Sequence, residues 1–204
     1  MSKRTSTLAN MLLALVVIAV VAAGALAGVY ALTKDPIEQE KQKTVQKAMN
    51  DVLPKFDSKN GKIETVNVTA KQGDKQDVTV NLAYNADGSL FGAAVETYTD
   101  KAFSGTFTIM VGFDAEGTII GTSVIKASET PGLGDKIKTE EFSGQFAKKN
   151  MNPKAAKFDI MVSKDGGEVD AITAATISSR AFCDAVNRAA KGYDEVLKKK
   201  GVTK

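Results

Sequence analysis

The chain contains no histidine and no tryptophan, and its one cysteine is Cys183. Histidine titrates near neutral pH and is the commonest metal ligand, so its absence excludes histidine triads and histidine-based zinc sites. A lone cysteine forms no internal disulfide. Cys183 lies far from the N-terminus, which excludes a lipoprotein anchor, and among apolar residues of a predicted helix it reads as a buried structural thiol. Aromatics make up only 6% of the chain and the formal charge is only +3. The positive excess sits largely in the tails, at Lys3 and Arg4 and at Lys198, Lys199, Lys200 and Lys204. With no basic patch interleaved with aromatics, nucleic-acid binding is not expected. The C-terminal lysines read as a solvated, fraying helix end, where positive charge suits the dipole. A hydrolase with a Ser or Thr nucleophile fits poorly, because no base–nucleophile constellation is present. No internal repeat and no low-complexity linker interrupts the chain.

What is present is a long apolar run. The 204 residues are 43% hydrophobic and 25% charged, enough for one globular domain and an appendage. From Leu8 to Thr33 no residue is charged, and a membrane-spanning helix needs about 20 such residues. Lys3 and Arg4 precede the run, while Lys34 is mixed with Asp35, Glu38 and Glu40 after it. The positive-inside rule then places the N-terminus in the cytoplasm and the main domain on the extracytoplasmic side of the cytoplasmic (inner) membrane, with a single pass. A cleavable signal peptide ending near Ala25-Leu26-Ala27 is the competing reading. Signal-peptide apolar regions are usually about 7–15 residues, which favours the uncleaved anchor.

Asp35-Pro36-Ile37-Glu38 reads as a new helix start, with Asp35 as cap, Pro36 in the first turn and Glu38 closing a capping box. Ile37, Val45, Ala48, Met49 and Val52 recur at helical spacing up to Leu53-Pro54. The expected division is therefore 1–34 for the N-terminus and membrane helix, 35–54 for a connecting helix and 55–204 for the outer domain. In that domain, Ile63 to Val80 alternates as strands do, and Leu90 to Tyr98 is another strand candidate. Asn85 to Gly88 reads as a turn. Thr106 to Phe113 and Thr118 to Lys126 flank Asp114-Ala115-Glu116-Gly117 as a hairpin. Glu140 to Lys149 reads as a short helix with Phe142 and Phe146 on one face. Phe158 to Val162 and Glu168 to Ile172 read as strands around a Gly166-Gly167 turn. The last helix starts near Ile177, with Phe182, Ala185, Val186, Ala189 and Tyr193 on its apolar side. The class is α+β, a bent antiparallel sheet with flanking helices behind an N-terminal transmembrane helix.

Two segments carry chemistry. In Asp170-Ala171-Ile172-Thr173-Ala174-Ala175-Thr176-Ile177-Ser178-Ser179, small residues and hydroxyls lead into the last helix. Backbone amides at a helix start are unpaired and the dipole there favours anions. Small side chains let a phosphate approach those amides, and a threonine there can hold it by a hydrogen bond or covalently. Ordinary capping by a Ser/Thr-rich helix start reads equally well from these residues alone. The second segment, Ser128-Glu129-Thr130-Pro131-Gly132-Leu133-Gly134, follows a strand directly. It leaves Leu133 as a single apolar group on a bare loop, suited to press on a flat ring. By itself it is a Pro-Gly turn, which is common.

The first segment resembles the Asp-x-x-Ser/Thr-Gly-Ala-Thr motif of the FMN-binding domain family. Together the two segments look like the FMN-binding domain shared by the RnfG protein of Rnf complexes and the related NqrC protein of Nqr complexes. Phe103-Ser104-Gly105, Val111-Gly112-Phe113-Asp114 and the lone N-terminal helix fit the same resemblance, which runs from the anchor to Asn187. The modest length is closer to the Rnf protein.

The resemblance implies FMN attached covalently through its phosphate to Thr176, by a flavin transferase. It implies that Thr173, Ala174, Ala175, Ile177 and Ser178 surround the phosphate. Glu129, Thr130, Pro131, Gly132, Leu133 and Gly134 would line the ring, and Ser104 and Gly105 would complete the pocket. Asp170 either helps the transferase position metal and substrate or braces the turn through backbone amides. Arg180 either pairs with phosphate or lies on the solvated face. One residue departs from the family pattern: Ala174 stands where glycine is usual, and alanine reaches positive φ only at an energetic cost. The implied role is an electron-transfer subunit, with no complete catalytic site and no metal of its own. The implied assembly is a membrane complex coupling electron flow between ferredoxin and NAD to ion transport. Its other members would include a second flavin-bearing subunit and iron–sulfur subunits. A subunit of a sodium-pumping NADH:quinone oxidoreductase is the alternative within the redox class. A membrane-anchored ligand-binding domain without flavin is the alternative outside it.

Overall fold

A computed structural model describes residues 7–57, 59–69, 76–147, 149 and 159–201. Lys3, Arg4, Lys148, Phe158, Lys204 and the middle of the alternating run, 70–75, lie outside the described residues. The chain divides into two compact units, Met1–Thr44 and Val45–Lys204.

Helix α1, Leu8–Val52, contributes to both units and is 45 residues long. Its most apolar 18 residues have a mean hydropathy of 2.8, so it is long and apolar enough to cross a membrane. The helix start expected at Asp35 is not observed, because Pro36 lies inside one continuous helix. An interior proline removes one N–H and crowds the carbonyl four residues back, at about 3 kcal/mol. Helical residues on both sides outweigh that local penalty, and the capping signal at Asp35 goes unused.

In the second unit, strands β1 (Lys62–Val68), β2 (Val78–Tyr84), β3 (Leu90–Ala102), β4 (Gly105–Asp114) and β5 (Ile119–Lys126) form one antiparallel sheet in sequential order. The expected turns close it, with Gly88 N–H donating to the Asn85 carbonyl and Gly117 N–H to that of Asp114. Both faces are covered, and period-2 alternation assigns the side chains. Val80, Leu82, Ala93, Val95, Ile109, Val111 and Phe113 face the main core, while Ala83, Ala94 and Met110 face Ala48, Val52 and Leu53. Helix α3, Thr176–Lys199, fills the main core. Its Phe182, Ala185, Val186, Ala189 and Tyr193 are buried, as helical spacing predicts, and Phe113 stacks on Tyr193 at 5.2 Å. The C-terminal lysines are not merely fraying: Lys200 pairs with Glu64 of β1, and Lys198 pairs with Asp194.

Two elements differ from expectation. The Glu140–Lys149 segment is a short α2, Glu140–Ser143, followed by a 3₁₀ turn at Gly144–Phe146. That tightening lets both Phe142 and Phe146 pack on Phe182, at 5.3 and 4.9 Å. The paired strands expected around Gly166-Gly167 reduce to a single bridge between Val162 and Val169. A side chain replaces the strand partner, since Asn187 Oδ1 accepts from Ile160 N–H at 2.8 Å and Nδ2 donates to its carbonyl at 2.9 Å. A 3₁₀ turn at Ser163–Asp165 occupies the space between.

Candidate functional site

Three loops meet at the N-terminus of α3. The first is the hairpin tip between β3 and β4, Phe103-Ser104, closed by Gly105 at φ 100°. The second is Thr130–Leu133, where Leu133 N–H donates to the Thr130 carbonyl at 3.1 Å. Pro131 supplies the second position and Gly132, at φ 75°, the third. This is the turn that requires positive φ at its third residue. The third loop repeats it: Ala175 N–H donates to the Ile172 carbonyl at 3.0 Å, and Ala174 holds the third position at φ 61°. Among the described residues Ala174 alone has positive φ without being glycine. The family's usual glycine at this position therefore has a backbone reason.

Glu129 ties the loops together. It is only 7% exposed. Its Oε1 accepts from Ser104 N–H at 3.0 Å and its Oε2 from the Ser178 hydroxyl at 2.6 Å. The carboxylate thus joins the hairpin tip, the Pro-Gly loop and the first turn of α3. Gly134 permits this, because a Cβ there would lie 2.3 Å from Glu129 Oε2 and 2.7 Å from Ser178 Oγ. Ser179 fixes the third loop from below. Its buried hydroxyl accepts from Ile172 N–H and donates to the Ala175 carbonyl, both at 3.0 Å.

A cleft of about 320 Å³ opens between the loops. Glu129, Thr130, Leu133, Gly134, Ala174, Ala175, Thr176, Ile177 and Ser178 line it, and so does Phe103. Ser104, Gly105, Pro131, Gly132 and Thr173 do not line it; Ser104 holds Glu129, and the others shape the turns. Phe103, Leu133 and Ile177 are 68%, 41% and 49% exposed at the rim. Exposed apolar groups around a concave site suit a flat ring.

No side chain caps α3. The N–H groups of Thr176, Ile177 and Ser178 have no protein acceptor among the described residues. Unpaired helix-start amides with a hydroxyl among them form an anion site. Lys164 adds a cation, its ammonium donating to Thr176 Oγ1 at 3.3 Å. The site therefore fits a phosphate joined to a planar aromatic group.

Other candidates are placed differently. The Asp170 backbone is held by Gln145, whose amide accepts from Asp170 N–H at 2.7 Å and donates to its carbonyl at 3.2 Å. The Asp170 carboxylate is exposed and makes no hydrogen bond to the turn among the described residues, so Gln145, not Asp170, is the brace. Arg180 grips Asp165 with two hydrogen bonds of 2.7 Å. That contact holds the Asp165 carboxyl below the usual carboxylate range and raises Arg180. Cys183 is buried, and desolvation pushes its thiol up to about 12, consistent with an inert structural role. Sequence reasoning missed Lys164 and Gln145. Gln145 lies between the two phenylalanines expected on one helix face, but no spacing rule links it to a residue 25 positions away.

The chain is similar to known proteins along most of its length. An FMN-binding domain family model matches residues 102–191, and an RnfG N-terminal region model matches 2–52. The G subunit of the ion-translocating oxidoreductase complex of Aliivibrio fischeri is 34% identical, covering 92% of this chain and 91% of its own. The corresponding protein of Vibrio cholerae is 35% identical over 87% and 86%. The crystal structure of the C subunit of the Na+-translocating NADH-quinone reductase from Parabacteroides distasonis has the same fold. Its TM-score is 0.58 at 20% identity, over 78% of this chain and 94% of that one. The chain belongs to the RnfG family, the G subunits of ion-translocating oxidoreductase complexes.

Proposed function

We propose that this chain carries electrons on FMN joined through its phosphate to the Thr176 hydroxyl. The observation that carries this reading is the position of Thr176. It stands at the uncapped start of α3, beside an ammonium and on the wall of an apolar-rimmed cleft. Bound flavin supplies one- and two-electron transfer. The protein's own residues hold and orient it. The free amides of Thr176, Ile177 and Ser178 face the phosphate, while Phe103, Leu133 and Ile177 offer apolar surface to the ring. Glu129 keeps the three loops in register. A tether suits a carrier outside the membrane, since the cofactor cannot diffuse away. The exposed rim leaves the ring's edge open to redox partners.

On this reading α1 anchors the chain, with Lys3 and Arg4 keeping the N-terminus cytoplasmic and the flavin domain extracytoplasmic. The domain works inside a membrane complex that couples electron flow between ferredoxin and NAD to ion transport, beside a second flavin protein and iron–sulfur proteins. A flavin transferase loads it, with the exposed Asp170 carboxylate available to hold a hard cation during attachment. The test is intact-protein mass after denaturation, from cells with an active flavin transferase. Wild type is expected to carry the added mass of FMN less one water, and Thr176→Ala to lack it. An unmodified wild type would refute the covalent assignment and favour a domain that binds its ligand without a bond.

A further inference from the structure

We infer that Lys164 is the positioning cation for the phosphoryl group at Thr176. The inference rests on the covalent reading of Thr176 above. Lys164 is set in place by three contacts independent of any ligand. Its 3₁₀ turn, Ser163–Asp165, is closed by Ser163 N–H donating to the Val169 carbonyl at 2.8 Å and by Gly167 N–H donating to that of Val162 at 3.1 Å. The turn is then clamped to α3 by the two Arg180–Asp165 hydrogen bonds. Arg180 is four residues after Thr176, one helical turn along the same face. The clamp therefore fixes the distance between residue 164 and residue 176, and it leaves the Lys164 ammonium donating to Thr176 Oγ1 at 3.3 Å.

The charges assign the role. Arg180 and Asp165 neutralise each other, so neither is available to an incoming anion. Lys164 forms no ion pair among the described residues. The cation nearest the hydroxyl therefore lacks a partner that a phosphate would supply. Free FMN has no leaving group beyond water or hydroxide, so the donor must carry a phosphoanhydride, as a flavin dinucleotide does. In the transfer, Thr176 Oγ forms a bond to the flavin-side phosphorus and the phosphoanhydride P–O bond breaks. The nucleoside monophosphate departs with the bonding electrons, and the hydroxyl proton passes to the transferase or to water. Lys164 faces the non-bridging oxygens throughout and afterwards pairs with the one negative charge of the diester.

The test uses the full chain purified unloaded in detergent, then incubated with flavin transferase, flavin dinucleotide and Mg²⁺. Intact mass is followed against time for wild type, Lys164→Met, Lys164→Arg and Lys164→Glu. Thermal unfolding of each unloaded chain provides the structural readout. Lys164→Met is expected to load about fivefold more slowly, the scale of one exposed charged contact. Lys164→Arg should stay near wild type and Lys164→Glu should be slowest, with unfolding temperatures unchanged. The wild-type advantage should shrink at about 1 M salt, where the screening length is about 3 Å. A wild type that loads while Lys164→Met keeps pace overturns this inference alone, as does an arginine variant as slow as the methionine one. A folded wild type that gains no mass overturns the covalent reading and this inference with it.

Discussion

Gly134→Ala is the sharpest mechanical test of the site. The new Cβ would lie 2.3 Å from Glu129 Oε2 and 2.7 Å from Ser178 Oγ, inside any permissible contact. Something must move, and the atoms in the way are the two ends of the 2.6 Å hydrogen bond that joins the Pro-Gly loop to α3. Losing a buried hydrogen bond to a carboxylate costs about 1.5–3 kcal/mol. Overpacking a filled site adds about 1–3 kcal/mol. The expected destabilisation is therefore about 3–5 kcal/mol, which for a unit of this size lowers Tm by roughly 10 °C. The assay is thermal unfolding by circular dichroism of the full chain, with Gly144→Ala as control. Gly144 sits at φ −65° with no atom near its Cβ direction, so alanine there should be neutral or slightly stabilising. The mechanism also predicts coupling. In a Ser178→Ala background one of the two obstructing atoms is gone, and Gly134→Ala should cost visibly less than in wild type. A Gly134→Ala chain that melts within about 3 °C of wild type, or a strictly additive double variant, would refute the claim that Glu129, Ser178 and Gly134 form one packed joint.

Two further outcomes follow from the same geometry. Ala174→Gly relieves an αL penalty of roughly 1–2 kcal/mol, offset by about 0.5–1 kcal/mol of glycine's extra chain entropy. The variant should gain about 0.5–1 kcal/mol and melt about 1–4 °C higher; a lower Tm would contradict the positive φ at that residue. The Asp165 carboxyl is held below its ordinary 3.8 in the folded chain by Arg180, so its contribution is present above that value and is lost as pH falls through the lowered one. Tm measured from pH 6 to pH 2 should therefore fall less in Asp165→Asn than in wild type over the acid limb, and parallel curves would contradict the pairing.

What the sequence revealed and what it hid divide along a physical line. Elements governed by local rules were legible. The apolar stripe of α3 follows from the 3.6-residue period. The β4–β5 hairpin follows from Asp114–Gly117, and the Thr130–Leu133 turn from Pro131 and Gly132. Pro36 misled because a local signal lost to its context: the residues on either side continue the helix, and a proline that ends most helices sits within this one. The contacts that assemble the site were invisible for another reason. Glu129 reaches Ser104 and Gln145 reaches Asp170 across 25 residues, and Lys164 reaches Thr176 across 12, with no periodicity linking the partners. Ala174 lies between these cases. As a departure from a family pattern it was legible, but its meaning was not, because a sequence does not state φ. The structure places Gly132 and Ala174 in turns of the same kind, at φ 75° and 61°; the first turn lends Thr130 and Leu133 to the cleft, and the second lends Ala174 and Ala175. The backbone conformation is thus demanded twice. It is met once by a residue without a Cβ and once by a residue that must be held there, and Ser179 beneath the second turn supplies the hold through the Ile172 N–H and the Ala175 carbonyl. Strain of this kind persists only where the surroundings over-determine it. Here the over-determined turn is the one that presents Thr176.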